Sequence, residues 1–120
     1  MARIKYCQFV RRRRDHSPVE FRVAFDRYLE LALPVARAAG ATEIQVSVGL
    51  DLDENDAIMS VRGTEPPFDG MLEFYAPDVA AALGRIPVDM LDKMRAYQAE
   101  HFELERCTFF FAKDREIALG

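Results

Sequence analysis

Cysteine is scarce in this chain: Cys7 and Cys107 are the only two in 120 residues. Two thiols cannot supply the disulfide framework of a small secreted scaffold, so a reducing, cytoplasmic setting is the expectation. Histidine is equally scarce, with His16 and His101 alone, and no Cys/His grouping approaches the three or four ligands of a zinc site. Long apolar runs are missing as well. None nears the roughly 20 residues needed to span a bilayer, so no membrane association is expected. The opening Met1–Tyr6 lacks the apolar stretch of a secretory signal and reads as a strand. There is no excess of positive charge; the net charge is −4 and the pI about 5.2, which argues against a general nucleic-acid binder. No G-x-S-x-G elbow, phosphate loop or G-x-G-x-x-G run occurs, so covalent serine chemistry and nucleotide cofactors are not expected. Nor is a metal, haem or flavin.

What is present is a core-forming composition: 50% apolar and 30% charged residues, enough for a single domain over residues 1–120. Alternation of Tyr6, Gln8 and Val10 with Cys7 and Phe9 predicts a strand over Ile4–Arg11. A polar loop, Arg11–His16, leads to Ser17-Pro18-Val19-Glu20, a capping box with proline at the first helical position. Phe21, Phe25, Tyr28, Leu29, Ala32, Val35, Ala36 and Ala39 then mark one helical face, which Gly40 is placed to end and Pro34 to kink. Thr42–Leu50 switches to period two, with Ile44, Val46, Val48 and Leu50 on one face. Residues 51–70 read as a long polar connection with a short extended piece over Ile58–Val61. Met71–Tyr75 is a third strand. A short helix over Asp78–Leu83 is bounded by Pro77 and Gly84, and a longer one begins near Pro87 and runs along Val88, Leu91, Met94, Tyr97 and His101. Arg106–Lys113 is a fourth strand. This order predicts an α+β, ferredoxin-like βαββαβ domain with a four-stranded antiparallel sheet.

Three of these strands are apolar on both faces. Helices cover only one face of such a sheet, so a second body must cover the other. An identical copy is always available, which makes a homodimeric α+β barrel, sheet against sheet, the expected assembly.

With these features in place, Arg3-Ile4-Lys5-Tyr6, the capped helix, the stretch Pro66-Pro67-Phe68-Asp69-Gly70-Met71-Leu72-Glu73-Phe74-Tyr75, and the late helix running into Phe109-Phe110-Phe111 resemble EthD-domain proteins, a family of dimeric α+β barrels. The resemblance covers nearly the whole chain in order. It implies an accessory role in ether degradation, or dehydration or decarboxylation of polyketide type. Within it, Pro34 stands for the proline of a His-Ala-Pro stretch, so Ala32 occupies the histidine position and no role of that histidine carries over. Tyr28 stands where the family has a first-helix tryptophan, and Tyr75 where it has one in the third strand.

Other motifs carry less. Asp51, Asp53 and Asn55 begin a calcium-loop spacing, but Asp56 replaces the required glycine and Arg62 the required glutamate, which leaves a solvated acidic loop. Arg11–Arg14 reads as a solvated loop, with anion attraction near a pocket mouth as the minor reading. His101 reads as a packed helix-end residue, and both cysteines as buried apolar groups. The candidate site is a set of polar residues aimed away from the helices: Gln45 and Ser47, Glu73 with Tyr75, and Tyr6 with Gln8, joined by Tyr28. Tyrosines, amides and one carboxylate in an apolar space suit recognition of a polar aromatic metabolite. Glu73, its pKa raised by burial, is the candidate catalytic acid/base. The competing reading pairs these groups with one another or with arginines across the dimer interface. Two functions stay open: a cofactor-independent acid/base enzyme acting on a small cyclic or aromatic metabolite, and a non-catalytic accessory or ligand-sequestering dimer.

Overall fold

The computed structural model describes residues 3–76, 78 and 83–120. In it β1 (Arg3–Val10) lies at the centre, paired with β3 (Gly70–Tyr75) on one side and β4 (Thr108–Asp114) on the other. The edge strand β2 (Glu43–Val48) joins β3, which makes the order β2-β3-β1-β4 with every pair antiparallel. Helices α1 (Pro18–Ala38) and α3 (Val88–His101) connect these strands and pack together against one face of the sheet. This is the ferredoxin-like topology expected from the order of elements.

Local chemistry accounts for α1. Ser17 Oγ accepts the Glu20 amide at 3.1 Å, while the Glu20 carboxylate accepts the Ser17 amide, also at 3.1 Å. The helix continues past Pro34 to Ala38 and closes at Gly40 (φ +83°). Its buried stripe, Phe21, Phe25, Tyr28, Ala32 and Val35, forms the core with Val10, Leu72, Met94 and Phe102. Gly70 lets the helix come this close, because a Cβ there would sit 3.0 Å from the rings of both Phe21 and Phe25.

The connection after β2 differs from expectation. Instead of a polar loop with an extended piece at Ile58–Val61, Asp53–Arg62 form a helix, α2. Asp53, Glu54 and Asp56 in its first turn and Arg62 in its last complement the helix dipole. Gly63 closes it in the left-handed conformation (φ +63°), which glycine adopts at no steric cost. None of its residues is buried, so it carries no core-facing stripe, the signal by which the other helices are recognised. Cys107 and Arg106 lie outside β4, because Leu104–Arg106 form a 3-10 turn that delays the strand to Thr108. Residues 83–85 are helical, Gly84 among them, so that glycine does not stop a helix; the rest of the short helix expected over Asp78–Leu83 falls largely outside the described residues.

The arginine run is not a solvated loop throughout. Arg11 is 8% exposed and its guanidinium donates to the Arg106 carbonyl at 3.1 Å and to the Pro66 carbonyl, while lying 4.1 Å over the Phe68 ring. The Arg12 amide donates to Asp69 at 2.9 Å, and Arg13 and Arg14 pair with Asp15 and Glu103 at 2.8 Å each. These arginines tie the Pro66–Gly70 segment and the end of α3 to the end of β1.

Candidate functional site

Residues directly opposite one another in an antiparallel ladder share a face. The register therefore sorts the sheet into two surfaces. Gln45, Glu73, Cys7 and Phe110 stand in one row of the open face, with Tyr75 and Lys5 beside them on one side and Ser47, Met71 and Phe9 on the other. The opposite face presents Ile44, Phe74, Tyr6 and Phe111 in one row, and Val46, Leu72, Gln8 and Phe109 in the next, toward the helices.

This division separates residues that strand alternation had grouped. Tyr6 and Gln8 do not point away from the helices; they face them. The physical reason is that helix α1 offers Tyr28 as a buried partner. Tyr28 is fully buried, donates its hydroxyl to Gln8 Oε1 and accepts from Gln98 Nε2 at 2.7 Å. Gln8 and Gln98 are themselves 3% and 6% exposed. Polar side chains reach the interior here because each meets another.

Around these groups lies a cavity of about 290 Å³ between the sheet and the helices. Its walls are mostly apolar: Leu72, Phe74, Phe109 and Phe111 from the strands, Ala32 and Val35 from α1, Leu91 and Met94 from α3. Tyr6, Gln8, Gln98 and Arg95 supply the polar lining. Tyr6 is stacked on Phe111 at 4.9 Å and meets Phe74 edge-on at 5.5 Å, so a flat aromatic wall bounds one side. Tyr28 positions both glutamines without lining the space.

The hydrogen-bond chain has a direction. Gln8 Oε1 is taken by Tyr28, and the Gln8 amide also lowers the pKa of the nearby Tyr6 phenol. The Tyr6 hydroxyl belongs to the cavity lining and is able to donate its hydrogen there. Burial pushes the Tyr6 phenol above its usual pKa, partly offset by the Gln8 hydrogen bond and the Arg95 charge, so it remains a neutral donor at pH 7. Burial raises the Tyr28 phenol further.

The open face is organised differently. Glu73 does not line the cavity. Its carboxylate is bound by Lys5 Nζ at 3.1 Å, and that bond raises the lysine's pKa. Tyr75 donates to Asp114, while Arg3 lies 3.9 Å over the Tyr75 ring and pairs with Glu43 at 3.0 Å. Gln45 and Ser47 are exposed on β2. Between these polar groups Phe9, Phe68 and Phe110 form an aromatic cluster, Phe9 lying 5.4 Å from Phe68 and 5.3 Å from Phe110.

The histidines and cysteines take no part in the cavity lining. His101 stacks on Tyr97 at 4.0 Å, and His16 lies in the loop before α1 with a buried Nδ1 that meets no partner. Both cysteines are free; Cys107 accepts the Arg11 amide at 3.3 Å, and burial raises its thiol. Among the described residues no cluster of three or more His, Cys, Asp or Glu forms a metal site, and no helix is long and apolar enough to cross a membrane.

Sequence reasoning missed Gln98 and Arg95. Leu91, Met94, Arg95 and Gln98 follow the i, i+3, i+4, i+7 spacing of one helical face. A glutamine and an arginine in that otherwise apolar stripe were the available signal.

A ferredoxin-like α+β domain with a small cavity on the helix side of its sheet is therefore the class of protein this chain represents. Comparison with solved structures agrees on the fold. The chain is similar to a dimeric ferredoxin-like protein of unknown function from Bacteroides fragilis, with a TM-score of 0.63 at 14% identity, covering 92% of this chain and 95% of that one. It is similar to an EthD family protein from Bacillus halodurans, with a TM-score of 0.59 at 15% identity over 94% and 99% of the two chains. A mutant of SnoaB, a cofactor-independent oxygenase from Streptomyces nogalater, aligns with a TM-score of 0.53 at 16% identity over 99% and 98%. No family model matches the sequence, and no curated protein does. The chain thus shares the ferredoxin-like fold of these solved structures, an EthD family protein among them.

Proposed function

We propose that this chain is a cofactor-independent enzyme that binds a small cyclic or aromatic metabolite in the helix-side cavity and promotes enolate-forming chemistry of the dehydration, isomerisation or decarboxylation type. The observation that carries the reading is the Tyr6 phenol in the lining of a mostly apolar cavity, beside the buried hydrogen-bond chain Gln98–Tyr28–Gln8. A neutral phenol held there donates to a substrate carbonyl oxygen and stabilises the negative charge that grows on it, while solvent water takes the proton released from the neighbouring carbon. Gln8 lines the substrate space beside Tyr6, and Tyr28 positions it. Glu73, Gln45, Ser47 and Tyr75 belong instead to the surface between two copies.

One observation favours the non-catalytic reading: no carboxylate or histidine is found among the described cavity-lining residues to take a proton. An exchange experiment separates the two. Wild-type protein is mixed with 1-tetralone in D2O, and loss of the proton signal beside the carbonyl is followed by NMR. The enzyme reading expects exchange well above background, reduced about 100-fold or more in Tyr6→Phe and unchanged in Glu73→Gln. A ketone that binds and never exchanges makes the protein a sequestering one.

The same proposal includes the homodimer. Phe9, Phe68, Met71 and Phe110 form an apolar centre on the open face, bordered by the Lys5–Glu73 and Arg3–Glu43 pairs. Two of the similar solved structures are described as dimeric. Light scattering at micromolar concentration is expected to give twice 13.7 kDa for the wild type and a single copy for Phe110→Lys. A wild-type protein of 13.7 kDa removes the dimer and the barrel with it.

A further inference from the structure

We infer that the cavity selects carboxylates, with Arg95 reading the charge: its ligand class is a flat, one- or two-ring acid. This rests on the reading of the cavity as a ligand site and adds what that site discriminates.

The argument begins with where the charges stand. Of the cavity-lining residues among those described, Arg95 alone carries a charge. Arg3, Arg11, Arg12, Arg13, Arg14 and Arg106 each hold a carboxylate within ion-pair distance, whereas no described carboxylate pairs with Arg95. Two other polar groups of the lining, Gln98 and Gln8, both bond Tyr28. A ligand entering this space therefore finds one cation that no described carboxylate holds, and the Tyr6 phenol.

Arg95 is exposed as a whole yet lines the cavity, which places it at the mouth. That position suits anion capture. The guanidinium stays hydrated when the cavity is empty, so it carries no desolvation penalty. When a carboxylate docks against it, apolar walls lower the local dielectric and the planar fork binds both oxygens. The rest of the ligand is shaped by the walls. Tyr6, Phe111 and Phe74 form the aromatic side, which favours a flat ring, and about 290 Å³ is at the small end for ligand cavities. The chain as a whole carries a net charge of −4, so preference for an anion has to arise at the site and not from the overall field.

Two probes with the same ring system test this: 2-naphthoate and the neutral 2-naphthalenemethanol. Each is titrated calorimetrically at pH 7 and low salt into wild-type protein, Arg95→Ala and Arg95→Lys. The expected result is that wild type binds the acid about tenfold or more tightly than the alcohol. Arg95→Ala abolishes the difference by weakening the acid alone, Arg95→Lys retains part of it, and added salt weakens only the acid. Because Arg95 is exposed, the variants are expected to fold, which circular dichroism checks. Equal binding of acid and alcohol to wild type, or a preference that survives in Arg95→Ala, overturns the inference and leaves the cavity reading intact. Binding of neither probe overturns both.

Discussion

Replacing Tyr28 with phenylalanine is expected to lower stability at pH 7 by about 2–5 kcal/mol, although it removes a single oxygen. The hydroxyl is the middle link of a buried chain, accepting from Gln98 Nε2 at 2.7 Å and donating to Gln8 Oε1. Without it both amides, each more than nine-tenths buried, lose a partner, and each stranded group costs about 1–3 kcal/mol. For a domain of this size the melting temperature should fall by roughly 10 °C or more. A pH signature separates this from ordinary loss of packing. Burial raises the Tyr28 phenol above its unfolded value of about 10. The unfolded chain therefore releases that proton first. The stabilisation is complete below the unfolded pKa and is lost as pH rises from there through the folded pKa. Other tyrosines contribute to the same alkaline loss, so the informative quantity is the difference between the two proteins. The variant's deficit at pH 7 should narrow above pH 10. Thermal melts from pH 7 to 11 measure this; a constant deficit means the phenol is not held neutral by burial.

Arg11→Ala should be comparably costly, by about 2–4 kcal/mol, through a different mechanism. Its ion pair with Glu65, 3.6 Å away, contributes little, because Glu65 is 69% exposed and solvent screens it. The loss comes from the carbonyls of Arg106 and Pro66, which give up a charged donor, from the guanidinium stacked over the Phe68 ring, and from the buried side-chain stem. The segment between α2 and β3 should then loosen. Hydrogen exchange of the Asp69 amide, which bonds the Val10 carbonyl at 2.9 Å, is expected to accelerate along with that of Arg12, while the centre of β1 stays protected. Arg11→Met keeps the stem and should recover part of the stability but not the exchange protection. If Arg11→Ala unfolds in denaturant at the wild-type midpoint, the buried arginine does not anchor this segment.

Both predictions concern side chains whose roles were not readable from their neighbours in the chain. For Arg11 a run of four arginines looks the same whether solvated or pinned, and it is the approach of Pro66 and Phe68, more than fifty residues away, that takes Arg11 out of water. For Tyr28 the apolar stripe of α1 marks the residue as inward-facing, but nothing local identifies two glutamines on other elements as its partners.

The amino-acid sequence by itself determined the elements whose causes are local. The Ser17/Glu20 capping box starts α1 where it was expected, and period-two alternation marks the four strands. Their order with the two packed helices defines the ferredoxin-like topology. Alternation also correctly divided each strand into two faces, yet it did not say which face meets the helices. Polarity was the available guide, and it misled at Tyr6 and Gln8, because a polar residue is excluded from an interior only when it has no partner there. Helix α2 escaped for the complementary reason: a helix that buries nothing shows no apolar period, and only its terminal charges and Gly63 mark it. Tertiary structure alone decided that Gln8, Tyr28 and Gln98 meet, that Arg95 lines the cavity with no described carboxylate beside it, and that Lys5 is the group that holds Glu73. Each of these depends on contacts between residues distant in the chain, which no local pattern encodes.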